Sequence, residues 1–247
     1  MTRNYIQIGA GGTGSFLFPA LIRYLETYKR ESDEDFTVTI IDGKEVAASK
    51  LERQLFFGRY AGDNKALALA AQYETDPSIV IAVPSYLDKK NIKGIERNDM
   101  ILICADNFPV RARIEKHCAK LDDVTVINGG NEMFDGSLQI WMRREGENIT
   151  PPMSQGHPEI LRRDKDDPAA LSCQQIAELP GGQQTIIANM MSATAILNAV
   201  RQVHEWEQAD AQRPHIGPLR DLPEEVFFDL NTFAMRSAKR PSPPEAH

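Results

Sequence analysis

The sequence predicts an α/β fold, with a mostly parallel, twisted sheet and helices on both faces. Two observations carry this prediction. Short apolar runs alternate with helical patterns through the first half of the chain, which is the pattern of consecutive β–α–β units. These runs are apolar at successive positions rather than at every second one, as expected for strands covered on both faces.

The first half of the chain accounts for the parallel part of this sheet. The first helix is expected to begin near Phe16, with Pro19 in its first turn, where proline is tolerated. Asp63 or Asn64 is a candidate N-cap for the second helix. In chain order, the expected strands are YIQI, FTVTIID, SIVIAVP, DMILICADN and VTVINGG, and the expected helices are FLFPALIRYLETYKR, DNKALALAAQYE and FPVRARIEKHCAKL.

The second half predicts an antiparallel strand region around one long helix. The segment GSLQIWMRR alternates along its length, which indicates a half-exposed strand. Residues 144–172 are rich in Pro, Gly and charge, and we expect a long crossover loop there. A helix follows from about 183 to 203, and EVFFDLNTFAMRS predicts a strand pair or one bent strand. We therefore expect a single domain over residues 1–235 and a disordered tail over 236–247.

Composition argues against several classes of function. The 247 residues include 35 acidic and 28 basic side chains, a net charge of −7, which argues against nucleic-acid binding. The apolar stretches are far shorter than the ~20 residues that span a membrane, and the N-terminus lacks a signal-peptide pattern. The three cysteines, Cys104, Cys118 and Cys173, are widely spaced, which fits a cytoplasmic protein and not a cysteine-bound zinc ion.

A glycine-rich turn follows the first strand and opens the first helix. Gly9, Gly11 and Gly14 form the pattern G-x-G-x-x-G, and Gly12 adds a further residue without a side chain to the turn. In a Rossmann-like fold, the first glycine permits a tight turn, the second lets the backbone approach a phosphate, and the third allows close helix–strand packing. The N-terminus of the helix then favours an anion. The alternative is a glycine-rich turn without a ligand.

Charged residues follow the second strand at positions that suit a nucleotide. Asp42 ends the strand, where an acid usually meets the hydroxyl groups of a ribose, although it could simply cap a turn. Arg53 and Lys65 come next along the chain. A nicotinamide dehydrogenase needs neither, whereas a ligand with a triphosphate needs cations to neutralise its charge.

Four segments resemble the ThiF/MoeB/E1 superfamily of ubiquitin-like-protein activating enzymes. They are GAGGTGS, IDGKEVAASKLERQLFF, GDNKALALA and ICADNFPVRARIEKHC, and the resemblance runs in order from about Tyr5 to Glu132. The chain departs from the family pattern in several places, and two of them concern the nucleotide site. Lys44 stands where the family has a second acid, and Lys50 stands where it usually has an asparagine.

The resemblance implies roles for individual residues. Gly9 to Ser15 would hold phosphates, and Asp106 would hold Mg²⁺. Arg111 would complete the family's D-N-x-x-x-R pattern, although it could equally serve as a packing or ion-pair residue. The implied nucleotide-binding residues are Gly9, Gly11, Gly12, Gly14, Ser15, Asp42, Lys50, Gln54 and Asn107, and the implied catalytic residues are Arg53, Lys65, Asp106 and Cys173.

Cys173 follows the expected crossover loop and precedes a segment with helical character. In some relatives a cysteine at this place captures the activated carboxyl group, and a thiolate near a helix N-terminus would have a lowered pKa. The alternative is a small buried residue.

The resemblance also implies a function. We expect ATP- and Mg²⁺-dependent adenylation of the C-terminal carboxylate of a small ubiquitin-like or sulfur-carrier protein that ends in glycine. Relatives form homodimers, so a homodimer is expected here too. Two alternatives remain open: a non-catalytic member that binds only a nucleotide or a partner protein, and an NAD-dependent Rossmann oxidoreductase.

Overall fold

The structure is a computed structural model, and it describes residues 2–105, 107–161, 184–212 and 221–240. The strands are β1 (Thr2–Ile8), β2 (Asp35–Ile41), β3 (Val80–Val83), β4 (Met100–Ile103), β5 (Val124–Asn131), β6 (Asp135–Arg144), β7 (Glu147–Thr150), β8 (Glu225–Asp229) and β9 (Ala234–Ala238). The α-helices are α1 (Gly12–Ser32), α2 (Lys65–Gln72), α3 (Phe108–Cys118) and α4 (Ile186–Gln212).

The nine strands of the described residues belong to one sheet in the order β3-β2-β1-β4-β5-β6-β8-β9, with β7 paired to β6. The strands from β3 to β5 are parallel, and those from β6 onward pair antiparallel. Ile8 of β1 lies beside Ile41 of β2 and Ile103 of β4. The carboxyl ends of these three strands therefore meet at one edge of the sheet. The Rossmann-like α/β fold expected from the sequence is confirmed.

The parallel strands are buried on both faces, as their continuous apolar runs predict. In β4, Met100 and Leu102 belong to one core cluster, which α1, α2 and α4 cover. Ile101 and Ile103 belong to the other cluster, which contains Ile114 of α3. None of the described helices combines the length and apolar character needed to cross a membrane.

Helix α1 differs from its prediction at its start. It begins at Gly12 rather than near Phe16, so Pro19 lies inside the helix and not in its first turn. Proline has no N–H group to donate to the carbonyl group of Ser15. Gly12 and Gly14 of the turn lie within the helix, which a search for apolar periodicity does not detect.

Strand β6 is not half-exposed, as its alternating pattern predicts. Its residues 138–142 are buried one after another. The reason is position: β6 pairs with β5 on one side and with β7 and β8 on the other. Ile140 packs into one core cluster and Trp141 into the other, so both faces of the strand are covered.

Two expected irregular segments contain regular structure. The sequence predicts a loop from residue 144, but β6 and β7 form a hairpin there. Glu145 (φ 51°) and Gly146 (φ 82°) make its turn, and two positive φ angles are typical of tight hairpins. The sequence predicts a tail from residue 236, but 236–238 belong to β9. Arg240 is also buried, and its Nη2 donates to the carbonyl oxygen of Ile140 at 2.7 Å.

Candidate functional site

A cleft of about 1110 Å³, counting its open mouth, lies at the carboxyl ends of β1, β2, β4 and β5. Ligands of open α/β sheets bind at this kind of edge, where the connections from two neighbouring strands run to opposite faces of the sheet. The cleft brings together most of the residues predicted from the sequence. Those that line it are Gly9, Gly11, Gly12, Asp42, Lys50, Arg53, Gln54, Lys65 and Asn107.

The glycine turn is held in place by its own packing. Gly9 has φ +97°, which a residue with a side chain rarely adopts. A Cβ atom on Gly14 would lie 2.1 Å from the carbonyl oxygen of Gly9, so the helix and the turn touch only because Gly14 has no side chain. Buried Gln7 joins them, since its Nε2 donates to the carbonyl oxygens of Gly9 (3.1 Å) and Gly14 (3.0 Å).

Ser15 has a different position from the one the resemblance implies. It is fully buried and does not line the cleft. Its Oγ donates to the carbonyl oxygen of Gly12 at 3.0 Å and accepts a hydrogen bond from the N–H group of Leu55 at 2.9 Å. Ser15 therefore ties the segment that follows Arg53 to the start of α1. This geometry gives no support to a direct phosphate contact by Ser15.

Asp42 fixes the backbone around the cleft. Its Oδ2 accepts a hydrogen bond from the backbone N–H group of Ala10 at 2.7 Å. Its Oδ1 accepts one from the backbone N–H group of Lys44 at 2.8 Å. The turn-capping role is therefore present. Each carboxylate oxygen can accept a further bond, so contact with a ribose stays compatible with this role.

Cationic residues line the cleft together with the glycine turn. Lys65 begins α2, which Asn64 caps by accepting hydrogen bonds from the backbone N–H groups of Ala66 and Leu67. Lys65 is only 3% exposed. The pKa of Lys65 is lowered to about 8, chiefly by burial and also by nearby cations, against the attraction of Asp42, which raises it. These cations are Lys50, Lys44 and Arg53.

The excess of cationic over acidic side chains in the lining favours an anion. Among the described residues that line the cleft, four are cationic and one, Asp42, is acidic. Such a set suits a ligand with several negative charges.

Of the remaining predicted residues, Gln54 and Asn107 are described in the structure, and the other two are not. Gln54 is 8% exposed, and its Oε1 is buried without a hydrogen-bond partner among the described residues. Asn107 caps α3 by accepting a hydrogen bond from the N–H group of Val110 at 3.3 Å. Asp106 and Cys173 lie outside the described residues. Within the described ranges, no group of three or more His, Cys, Asp or Glu residues could hold a metal ion.

Sequence reasoning missed a chain of side-chain hydrogen bonds that joins four elements at the cleft. Thr13 Oγ1 donates to Oδ1 of Asn131 at 3.0 Å, and Nδ2 of Asn131 donates to Oδ1 of Asn189 at 3.1 Å. Nδ2 of Asn189 then donates to the carbonyl oxygen of Arg53 at 3.0 Å. The start of α1, the end of β5, α4 and the Arg53 segment are thus held in one arrangement.

Other residues of the lining were also missed. Lys44 follows the predicted acid by two positions, and a search for cations after β2 could have found it. Thr13 was included only as part of the range from Gly9 to Ser15 and was not singled out. Tyr86 follows β3 in a segment with no motif, and Gln184 precedes α4, so no local signal marks either residue.

Comparison with known proteins identifies the family. The model of the ThiF family matches residues 3–210, which is most of the chain. The chain belongs to the ThiF family. The resemblance found in the sequence is therefore confirmed.

One relative of this ThiF-family chain is the sulfur carrier protein ThiS adenylyltransferase of Escherichia coli (strain K12). The two are 28% identical over 136 residues, which is 53% of this chain and 51% of the relative. The chain thus spans about half the length of the curated relative it matches.

Solved structures share the fold. E. coli MccB with ATP matches with a TM-score of 0.64 and 14% identity, over 98% of this chain and 65% of MccB. MccB with MccA-N7isoASN gives a TM-score of 0.65 at 14% identity, over the same shares of the two chains. PaaA gives 0.60 at 15% identity, over 96% of this chain and 72% of PaaA. At these identities the likeness shows the fold alone.

Proposed function

We propose that this ThiF-family chain uses ATP to adenylate the C-terminal carboxylate of a small protein, one that is ubiquitin-like or sulfur-carrier-like and ends in glycine. The observation that carries the proposal is the cleft in which four cationic residues meet the bare glycine turn. Those residues are Lys44, Lys50, Arg53 and Lys65. The similarity of this chain to the ThiS adenylyltransferase supports the proposal, as does its structural likeness to MccB with ATP.

The chemistry needs positioning and charge neutralisation rather than a general base. An oxygen of the substrate carboxylate, which is already ionised, attacks the α-phosphorus of ATP. The bond from that phosphorus to the bridging oxygen breaks, and pyrophosphate leaves with the electron pair. Arg53 can bind two phosphate oxygens with its planar guanidinium, and Lys65 supplies a point charge. Both would neutralise the departing pyrophosphate.

The proposed Mg²⁺ ion remains a prediction. Its expected ligand, Asp106, lies outside the described residues, and the described residues form no metal-binding group of their own. In this position Mg²⁺ would neutralise phosphate charge. The covalent role of Cys173 likewise remains a prediction, because that residue is also outside the described ranges.

The two alternatives make different demands on the cleft. An NAD-dependent oxidoreductase would leave four cationic residues around a ligand with only two phosphate groups. A non-catalytic member would use the same cations for binding alone, and the replacement of the family's second acid by Lys44 is the feature that favours it. The relative affinity for NAD⁺ and ATP distinguishes the oxidoreductase from the proposed function. The presence or absence of adenylation distinguishes the non-catalytic member from it.

ATP–pyrophosphate exchange tests the proposed activity. The candidate acceptors are small β-grasp carrier proteins that end in Gly-Gly. Each acceptor is assayed with the wild-type protein, with Arg53→Ala and with the matched control Arg59→Ala. Arg59 is exposed, and it stacks on Phe57 and Tyr60 outside the cleft. We expect Arg53→Ala to lose roughly 100-fold or more in exchange and Arg59→Ala to keep it. ATP binding without exchange for any acceptor would favour the non-catalytic alternative.

The proposal includes a homodimer in the cytoplasm. The first turns of α4 expose Ile186, Ile187 and Met190, and the segment before α2 exposes Leu55 and Phe57. Contiguous exposed apolar patches mark protein–protein interfaces, and the proposed dimer interface would bury these side chains.

A further inference from the structure

Tyr86 occupies an unusual place for an aromatic side chain. It lines the cleft, yet it is 63% exposed. Its ring lies against the backbone just after Asp42, because a Cβ atom on Gly43 would be 2.6 Å from Cδ2 of Tyr86. The same Cβ atom would lie 2.7 Å from the backbone nitrogen of Tyr86. Only glycine at position 43 allows this close approach.

The segment that carries Tyr86 is held from several sides. Asn91 Nδ2 donates to the carbonyl oxygen of Tyr86 at 2.8 Å and to Oγ of Ser85 at 3.2 Å. Arg113 of α3 donates to the carbonyl oxygen of Leu87, whose side chain is buried. The ring is therefore presented to the cleft from a fixed backbone, which lowers the entropy cost of binding against it.

The surroundings of the ring suit a flat heterocycle. Leu87, Ala105 and Val110 line the cleft together with Tyr86, so this part of the cleft is apolar and is bounded by an aromatic face. The neighbouring Asp42 is the expected ribose contact. If the ribose of a nucleotide lies at Asp42 and its phosphates lie at the glycine turn, the base is left to occupy the apolar part of the cleft beside Tyr86.

We propose that Tyr86, with Gly43 beneath it, is the platform on which the purine base of the nucleotide stacks, and that it sets the preference of this chain for a purine nucleotide. The inference rests on the proposed function, because it takes the ligand to be a nucleoside triphosphate. Stacking on an aromatic side chain recognises the face of a base, and a purine offers the larger face. Inorganic tripolyphosphate has no base and should not depend on Tyr86.

Calorimetric titration with ATP, UTP and tripolyphosphate tests this inference on the full chain. The variants are Tyr86→Ala, Tyr86→Phe and the control Phe233→Ala, an aromatic residue that is 94% exposed and outside the cleft. We expect Tyr86→Ala to weaken ATP binding about ten-fold, to narrow the preference for ATP over UTP, and to leave tripolyphosphate binding unchanged. Tyr86→Phe and Phe233→Ala should bind ATP like wild type.

The outcomes separate this inference from the proposed function. If Tyr86→Ala binds ATP as wild type does, or weakens ATP and tripolyphosphate equally, the base platform is overturned while the triphosphate site stands. If wild type binds neither ATP nor tripolyphosphate, both proposals fail.

Discussion

At Gly14, one methyl group decides whether the glycine turn can form. A Cβ atom there would lie 2.1 Å from a backbone oxygen, and backbone moves less readily than a side chain. Gly94 is the matched opposite case, because a Cβ atom added there would have no neighbour within 4 Å.

Gly14→Ala should therefore destabilise the fold while Gly94→Ala should not. We expect a loss of about 1–3 kcal/mol or more in the free energy of unfolding for Gly14→Ala. For Gly94→Ala the change should stay within about 0.5 kcal/mol. Urea denaturation followed by circular dichroism measures both values. Equal effects of the two substitutions would show that the contact at Gly14 is not a tight one.

Lys65 should make triphosphate binding depend on pH. In the free protein its pKa is lowered to about 8, chiefly by burial. A bound triphosphate raises that pKa again, because it places negative charge beside the ammonium group. Below about pH 8 the lysine is already charged and contributes no pH dependence. Above it, binding must take up a proton, so affinity falls as the pH rises.

Titration of ATP at pH 9 in two buffers of different ionisation enthalpy measures this proton uptake. We expect uptake approaching one proton per ATP for wild type and a clearly smaller value for Lys65→Met, which keeps an unbranched chain in the buried position. Lys93→Met, on an exposed residue outside the cleft, is the control. Equal proton uptake in wild type and Lys65→Met would exclude Lys65 as the titrating group.

At the scale of elements, α4 positions a loop that is distant from it in sequence. Asn189 is fully buried, and its hydrogen bond to the carbonyl oxygen of Arg53 joins residues 136 positions apart. A Cβ atom on Gly12 would also lie 2.4 Å from Nδ2 of Asn189, so the helix and the turn fit closely. The position of Arg53 thus depends on a residue that does not itself line the cleft.

Asn189→Ala should reduce both stability and ATP affinity. The substitution removes the hydrogen bonds from Asn189 to the carbonyl oxygen of Arg53 and from Asn131 to Asn189, although Asn131 keeps its bond to the carbonyl oxygen of Glu132. We expect a cost of about 1–3 kcal/mol in unfolding free energy, because the side chain of Asn189 is fully buried. Asn198→Ala, on an exposed part of the same helix, should change neither quantity beyond about 0.5 kcal/mol. Thermal unfolding and ATP titration provide the two readouts. An Asn189→Ala protein with wild-type values in both would show that the hydrogen-bond chain is dispensable.

Elements with a local signal could be predicted from the sequence. The N-cap at Asn64 follows from its side chain and from the helix-forming residues after it. The start of α1 could not be predicted in the same way, because glycines carry no apolar period. Strand β6 was misjudged because burial depends on which neighbours a strand acquires, and an alternating pattern contains no information about β8.

At the scale of the whole molecule, the sheet order creates the site. Strands β2, β1, β4 and β5 are neighbours, so the glycine turn, Asp42 and Asn107 converge although they are far apart in the chain. Motifs could predict the residues of this edge because each motif is local. Asn131, Asn189 and Tyr86 could not be predicted, since only the folded chain brings them to the cleft.

The proposed homodimer gives a prediction at this scale. We expect light scattering to show a particle of twice the 27.6 kDa chain mass. Ile187→Glu with Met190→Glu should yield monomers, because both substitutions place charge on the exposed face of α4. Phe233→Glu, in the turn between β8 and β9, is the control and should remain dimeric. A monomeric wild type would contradict the homodimer and leave the nucleotide site untouched.

The most direct test of the account is a calorimetric comparison of ATP with NAD⁺ on wild type, Arg53→Ala and Arg59→Ala. The account predicts that wild type prefers ATP and that Arg53→Ala loses about 1.5–3 kcal/mol of ATP binding free energy, the range for a hydrogen bond to a charged group. Arg59→Ala should bind ATP like wild type. Tighter binding of NAD⁺ than of ATP, or an Arg53→Ala variant with undiminished ATP affinity, would contradict it.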